Sequence, residues 1–178
     1  MKLLFKTVIT VFAVTALIGC KERQSVEINT PTEVKKEASK TPDIADVEFS
    51  DGSIGKIWHN YLEIKMALTE SDENQVQQTA NSMAETFSEE LAILKSLSLQ
   101  LSETDDIEAQ RELFAQLTEE IGTLFEDALS SGTIYKKLCP MAFNNKGAYW
   151  YADVKEISNP YFGDKMPNCG SVEKTISK

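Results

Sequence analysis

Two short strings in the C-terminal third of the chain carry paired sulfur donors. The string at 139–141 reads Cys-Pro-Met, and the string at 166–169 reads Met-Pro-Asn-Cys. Thiolate and thioether groups are soft donors, and two of each suit Cu(I) better than Mg, Ca or Mn. The short spacings let both members of each pair turn toward one point from a loop. The candidate ligands of a soft metal ion are therefore Cys139, Met141, Met166 and Cys169.

The first 19 residues have the pattern of a lipoprotein signal peptide. Lys2 and Lys6 form a basic start, and residues 7–16 are an apolar stretch too short to be a stable bilayer span. Leu-Ile-Gly-Cys at 17–20 resembles the bacterial lipobox, which is cut before the cysteine; an ordinary secretory signal fits that position less well. We therefore expect a chain lipidated at Cys20 and held in the cell envelope, facing the periplasm or in the outer membrane.

Composition predicts a tether between this lipid and a folded domain. The chain has 18 Lys+Arg and 28 Asp+Glu, and removal of Lys2 and Lys6 leaves 16 against 28, a net charge of about −12. So acidic a chain is repelled by nucleic acid and by anionic membrane faces. Residues 20–46 contain few large apolar side chains and cannot offset their chain entropy. The expected parts are a signal peptide (1–19), a lipidated Cys with a flexible tether (20–46) and one domain (47–178).

The two remaining cysteines have a second possible role. Exported proteins usually join such cysteines, and a bridge between Cys139 and Cys169 would close a loop of about 30 residues, worth ~3–4 kcal/mol. Met141 and Met166 would then be packing residues. The sequence leaves open whether the sulfurs bind each other or a metal ion, and a redox-dependent site would combine both roles.

Little in the chain predicts catalysis. His59 is the single histidine, so a Ser-His-Asp arrangement is not credible, and neither a phosphate-binding glycine loop nor a Cys-x-x-Cys pair occurs. His59 is a fifth candidate metal ligand, although a histidine beside Trp58 and Tyr61 more often packs than binds. We therefore expect a protein that is not an enzyme.

Hydrophobic periodicity predicts three amphipathic helices. They cover 54–70, 73–99 and 107 to about 130. Asp72 is placed to cap the second helix, and Thr104 or Asp105 the third. On the third helix Arg111 is expected on the solvent side with its glutamates. Three helices with short connections favour an antiparallel bundle.

A different texture follows the third helix. The segment 132–178 combines seven aromatic residues with several Asn and Gly, and Asn-Asn-Lys-Gly at 144–147 predicts a tight turn between two extended pieces. We expect a mainly α protein in which a three-helix bundle carries a loop-rich C-terminal cap, with a small β-hairpin as an optional part.

The same segment carries a resemblance to a known family. Tyr135 to Trp150, YKKLCPMAFNNKGAYW, and Asn159 to Gly170, NPYFGDKMPNCG, resemble the domain of unknown function 3347 family, and His59 to Leu68, HNYLEIKMAL, is similar to its helical part. That family occurs in small exported bacterial proteins and on periplasmic adaptor subunits of copper and silver efflux pumps.

The resemblance implies a role for the sulfur residues. It implies a metallochaperone or efflux accessory that binds Cu(I) or Ag(I), with the membrane and a metal-efflux adaptor or another periplasmic protein as partners. The alternative is a non-catalytic interaction or scaffold domain with a structural disulfide between Cys139 and Cys169.

Overall fold

The computed structural model describes residues 47–178, which lie in one compact unit. The predicted signal peptide, the lipidation site Cys20 and the tether lie outside the described residues. Within 47–178, no helix combines the length and the apolar character needed to cross a membrane.

The described chain is mainly helical, as the periodicity predicts. Its long helices are α1 (Gly52–Glu70), α2 (Glu73–Thr86), α3 (Ala92–Glu103) and α4 (Ile107–Ala128). The prediction of three helices is wrong, because the segment expected as one helix over 73–99 forms α2 and α3. Phe87 and Ser88 between them have extended backbones, and a 3-10 turn follows at Glu89–Leu91. Serine followed by two glutamates is typical of a helix start, and the continuous apolar pattern conceals it.

Side-chain caps determine where the helices begin. Asp72 accepts a hydrogen bond from the Gln75 amide over 3.0 Å, which confirms the predicted cap of α2. The cap of α4 is Asp106, which accepts from the Ala109 amide over 2.7 Å. The prediction of Thr104 or Asp105 is wrong by one or two residues, and the Thr104 hydroxyl instead donates to the Gln100 carbonyl.

A short strand pair ties the start of the described chain to the end of α4. Strand β1 (Glu48–Phe49) pairs antiparallel with β2 (Leu129–Ser131), and the Ser50 amide donates to the Ala128 carbonyl over 2.8 Å. Gly132, with φ 89°, turns the chain out of β2 rather than stopping the helix. Helix α4 thus ends within a few residues of the predicted point, but in a strand.

The C-terminal segment is a sheet rather than a loop-rich cap. Its strands are β3 (Thr133–Cys139), β4 (Ala148–Ala152) and β5 (Ser171–Ser177), in the antiparallel order β4-β3-β5. The β3–β4 hairpin confirms the predicted pair of extended pieces, although its connection runs from 140 to 147. The sequence does not predict β5, because this strand is largely exposed and has no apolar alternation to reveal it.

Buried aromatic residues fasten the sheet to the bundle. The ring centroids of Tyr61 and Phe114 lie 4.9 Å apart, and those of Phe125 and Tyr151 lie 6.1 Å apart. The Tyr151 amide on β4 donates to the Tyr61 hydroxyl over 3.1 Å. Helices α1 and α4 and the sheet therefore share one core.

Candidate metal site

The register of the sheet brings the two predicted cysteines together. Leu138 pairs with Ser171 where β3 runs against β5, so Cys139 at the end of β3 lies opposite the residues that precede β5. The sulfur atoms of Cys139 and Cys169 are 3.5 Å apart, and both thiols are free. Cys139 is fully buried and Cys169 is half-buried. The candidate site therefore contains a preformed dithiol.

A glycine makes this close approach possible. Gly170 has φ 145°, and a Cβ atom there would lie 2.9 Å from the Leu138 carbonyl oxygen and 2.7 Å from the edge of the Trp150 ring. Real Cβ atoms do not approach a neighbour so closely, so a side chain would force the backbone of β3 and the residue after Cys169 apart. Gly170 thereby sets the spacing of the two sulfur atoms.

The contact between the thiols affects the acidity of Cys169. The hydrogen bond with Cys139, with a smaller effect of burial, raises the pKa of the Cys169 thiol above its ordinary value. A bound cation would favour the thiolate form of Cys169 and so oppose this shift.

The two predicted methionines lie in an adjoining cleft. Met141, with 46% of its surface exposed, and the half-buried Met166 line a surface cavity of about 440 Å³. The other lining residues are two carboxylates of α4, three aromatic residues of the C-terminal segment and two asparagines: Glu108, Glu112, Phe143, Tyr161, Phe162, Asn144 and Asn145. The four predicted sulfur ligands are thus brought to two neighbouring places, a dithiol and a thioether cleft.

His59 lies far from these sulfur atoms. Its side chain is 73% exposed and pairs with Glu63 over 3.2 Å. The neighbouring Trp58 ring contacts Phe125 near the end of α4, whereas the thioether cleft meets Glu108 near its start. Glu108 and Phe125 are 17 positions apart in the sequence, which corresponds to roughly 25 Å of helix. The fold therefore does not bring the predicted fifth ligand to the other four.

A buried arginine, missed from the sequence, holds the loop that carries Met166 and Cys169. The Arg111 side chain donates to the Pro160 carbonyl over 2.9 Å and to the Ser71 hydroxyl over 3.0 Å. Arg111 is 1% exposed, so its expected place on the solvent side is wrong. The sequence does carry a signal for this burial, because Arg111 stands four residues after Ile107 and three before Phe114, on the apolar stripe of α4.

Asn159 is a second positioning residue that the sequence does not reveal. It is fully buried, and its side-chain amide donates to the Cys169 carbonyl over 2.6 Å while its oxygen accepts from the Tyr161 amide over 2.8 Å. Its backbone amide also donates to the Pro167 carbonyl over 3.0 Å. One asparagine therefore holds both ends of the loop before β5.

The donor atoms fit a soft ion better than a hard one. Within residues 47–178 no group of three or more His, Cys, Asp or Glu side chains is placed to hold a metal. Any site here depends on sulfur, including thioether sulfur. With metal–sulfur bonds of about 2.3 Å, the length found for zinc thiolates, one ion can contact both sulfur atoms at their 3.5 Å separation in a bent arrangement, and a straighter arrangement would require the sulfur atoms to move apart.

Fold and site together define a mainly helical domain with two free thiols at the end of the central strand of an antiparallel sheet. A family model described as "Protein of unknown function (DUF3347)" matches residues 57–132, which is less than half of the chain. The match confirms the resemblance for α1 to α4, while the two sulfur strings lie beyond the matched residues. No curated protein and no solved structure matches the chain.

Proposed function

We propose that this chain is a lipoprotein of the bacterial envelope that binds Cu(I) or Ag(I) as a metallochaperone or an efflux accessory. The proposal joins the lipobox at Cys20 with the soft donors Cys139, Cys169, Met141 and Met166. The lipid would hold the protein at the membrane, and a metal-efflux adaptor or another periplasmic protein would receive the ion.

One observation supports the proposal: the thiols of Cys139, at the end of β3, and Cys169, in the loop just before β5, lie 3.5 Å apart. A preformed dithiol avoids the ordering entropy that a flexible loop would lose on binding. Two thiolates are suited to a soft monovalent ion, and the methionines beside them are the neutral donors that such an ion also accepts.

The same distance favours a second function of a different class. Two thiols this close are also placed to form a disulfide, which would staple β3 to the loop before β5. The protein would then be a non-catalytic scaffold whose aromatic cap docks a partner. The raised pKa of the Cys169 thiol is compatible with either function.

Thiol counting followed by Cu(I) competition separates the two functions. Full-length protein is purified anaerobically, its thiols are counted, and it is titrated with Cu(I) against a coloured chelator. For a metallochaperone we expect the thiols of Cys139 and Cys169 to be free and one Cu(I) ion to bind per chain. The affinity for Cu(I) should fall at least about 100-fold in the Cys139→Ser/Cys169→Ser variant.

Matched controls exclude a general effect of thiol loss or misfolding. The Ser variant should retain the helical circular dichroism of the native chain, because serine is nearly isosteric with cysteine. Mg²⁺ should not compete at millimolar concentration, since it prefers oxygen donors. The scaffold function would be favoured instead if the purified protein contains a Cys139–Cys169 disulfide and if, after its reduction, the protein binds copper no more tightly than the Ser variant does.

A further inference from the structure

The sulfur residues lie in two different surroundings. Cys139 has no exposed surface, whereas Met141, two residues later, has nearly half of its surface exposed. The cysteines do not line the cleft that the methionines line. A metal ion that enters through the cleft therefore meets the two thioethers before it reaches the buried thiol of Cys139.

The cleft has the chemistry to capture a soft cation on its own. Met141 and Met166 offer neutral sulfur, and the aromatic side chains of Tyr161 and Phe162 also line the cleft. Glu108 is neutralised by Arg111 over 2.8 Å and by Lys165 over 3.2 Å. Glu112 is exposed and has no ion pair within the described residues. The cleft thus carries a negative charge at its rim without a competing ligand set for a hard ion.

The wall of the cleft is held in an unusual backbone conformation. Phe143, Asn144 and Asn145 are consecutive left-handed residues with φ of 51°, 60° and 66°. Residues with a side chain adopt this conformation at a cost in free energy, so it persists only where the surrounding structure holds it. Such residues are found most often at functional sites. Here the turn sets the Phe143 ring against Tyr161, with centroids 5.4 Å apart, and so shapes the cleft.

Both thioethers are within a short step of the dithiol. Two residues span at most about 7 Å, which bounds the Cα separation of Cys139 and Met141. Met166 and Cys169 are closed into a turn by a 3.2 Å hydrogen bond from the Cys169 amide to the Met166 carbonyl. Each cysteine is therefore joined to one wall of the cleft by its own short segment of chain.

From this arrangement we infer that Met141 and Met166 form a loading site that captures Cu(I) or Ag(I) and passes it to the dithiol of Cys139 and Cys169. This inference rests on the proposed function and assigns different roles to its ligands. In the transfer, the thioether contacts to the ion break and two metal–sulfur bonds form. The two thiol protons leave to solvent, and no oxidation state changes.

The test measures loading rate and equilibrium affinity in the same variant. Anaerobic full-length protein is mixed by stopped flow with a Cu(I)–chelator complex, and the chelator spectrum reports transfer. Met141→Leu/Met166→Leu keeps side-chain volume and hence folding. We expect its loading rate to fall about tenfold and its equilibrium affinity to stay within about threefold.

Met66→Leu is the matched control, because Met66 is 53% exposed on α1 and does not line the cleft. It should load at the native rate. An unchanged rate in the double variant overturns the loading site while leaving the proposed function intact. An affinity that falls by the same factor as the rate shows that the methionines are permanent ligands and also overturns it. Failure of the native protein to bind Cu(I) removes the proposed function itself.

Discussion

The side chain of Arg111 on α4 donates through Nε to the carbonyl oxygen of Pro160 over 2.9 Å, and so links the helical bundle to the loop that carries half of the sulfur site. A second nitrogen of the same side chain reaches the Ser71 hydroxyl at the end of α1. One guanidinium therefore joins α1, α4 and the loop before β5.

Replacing Arg111 should uncouple these parts. Arg111→Ala leaves the Pro160 carbonyl buried without a donor, and we expect the free energy of unfolding to fall by about 3 kcal/mol. Arg111→Lys retains the charge but loses the forked geometry, so its loss should be intermediate. Urea denaturation followed by circular dichroism measures both. Lys146→Ala, at an exposed position, is the control, and equal effects of all three variants would contradict the role assigned to Arg111.

Gly170→Ala should separate the two sulfur atoms. The new Cβ would collide with the Leu138 carbonyl and the Trp150 ring. We expect a loss of more than about 1 kcal/mol in stability and slower formation of a Cys139–Cys169 bridge when a mild disulfide oxidant is added to the reduced protein. Thiol titration against time gives the rate.

Gly55→Ala is the matched control for that variant. Gly55 lies inside α1, and no neighbouring atom lies within 4 Å of the place that a Cβ would take. Alanine there should stabilise the helix by about 0.5–1 kcal/mol and leave the oxidation rate unchanged. Native oxidation kinetics in Gly170→Ala would show that this glycine does not set the sulfur spacing.

Asn144 tests the left-handed turn. Asn144→Gly removes the penalty for a positive φ, so the stability should stay constant or rise by a few tenths of a kcal/mol. Asn144→Val places a β-branched side chain where it is least tolerated and should cost at least about 1 kcal/mol. The residue is exposed, so packing contributes little to the difference. Thermal unfolding of both variants compares them, and equal midpoints would refute a strained backbone at this position.

The ionised carboxylate of Glu126 should make the free energy of unfolding depend on pH. Burial alone would raise the pKa of Glu126, but hydrogen bonds from Lys174 and Tyr151 and the nearby lysine charges bring it below its ordinary value. A carboxyl group whose pKa is lowered on folding stabilises the protein above its unfolded pKa, and that contribution is lost as the pH falls through the folded pKa.

We therefore expect Glu126→Gln to be less stable than the native chain by about 1–2 kcal/mol at pH 7, with a gap that narrows steadily below about pH 4.5. Urea titrations at several pH values measure the gap. Glu120→Gln is the control, because Glu120 is exposed and its substitution should change stability little at any of these pH values. A gap for Glu126→Gln that does not depend on pH would contradict the charge-based explanation.

Local signals in the sequence predict local features well. Asp72 is recognisable as a cap because a cap depends only on the residues that follow it, and the periodicity from Ile107 locates α4. Local signals are less informative where a stronger pattern covers them or where a distant partner is needed. The continuous apolar pattern across Phe87 hides the helix start at Ser88, and β5 forms because β3 offers it an edge for pairing.

The sulfur site divides in the same way. Its residue types are evident from the sequence, and the proximity of Cys139 to Cys169 follows once both are placed in one small cap. The separation of thiols from thioethers depends on strand register and on the conformation at Phe143, neither of which a single sequence reveals. The distance of His59 from the sulfur residues could not be predicted either. The sequence identifies the neighbours of His59 on α1, but it does not show at which end of the helical bundle these residues lie.

The β1–β2 pair fixes the first described residues against the C-terminal end of α4. Chain entering at Glu48 meets the Ala128 end of α4, whereas the thioether cleft opens beside Glu108, 20 residues and about 30 Å away along the helix. In the proposed function, a second protein that docks over the cleft would contact a part of the domain remote from the β1–β2 pair.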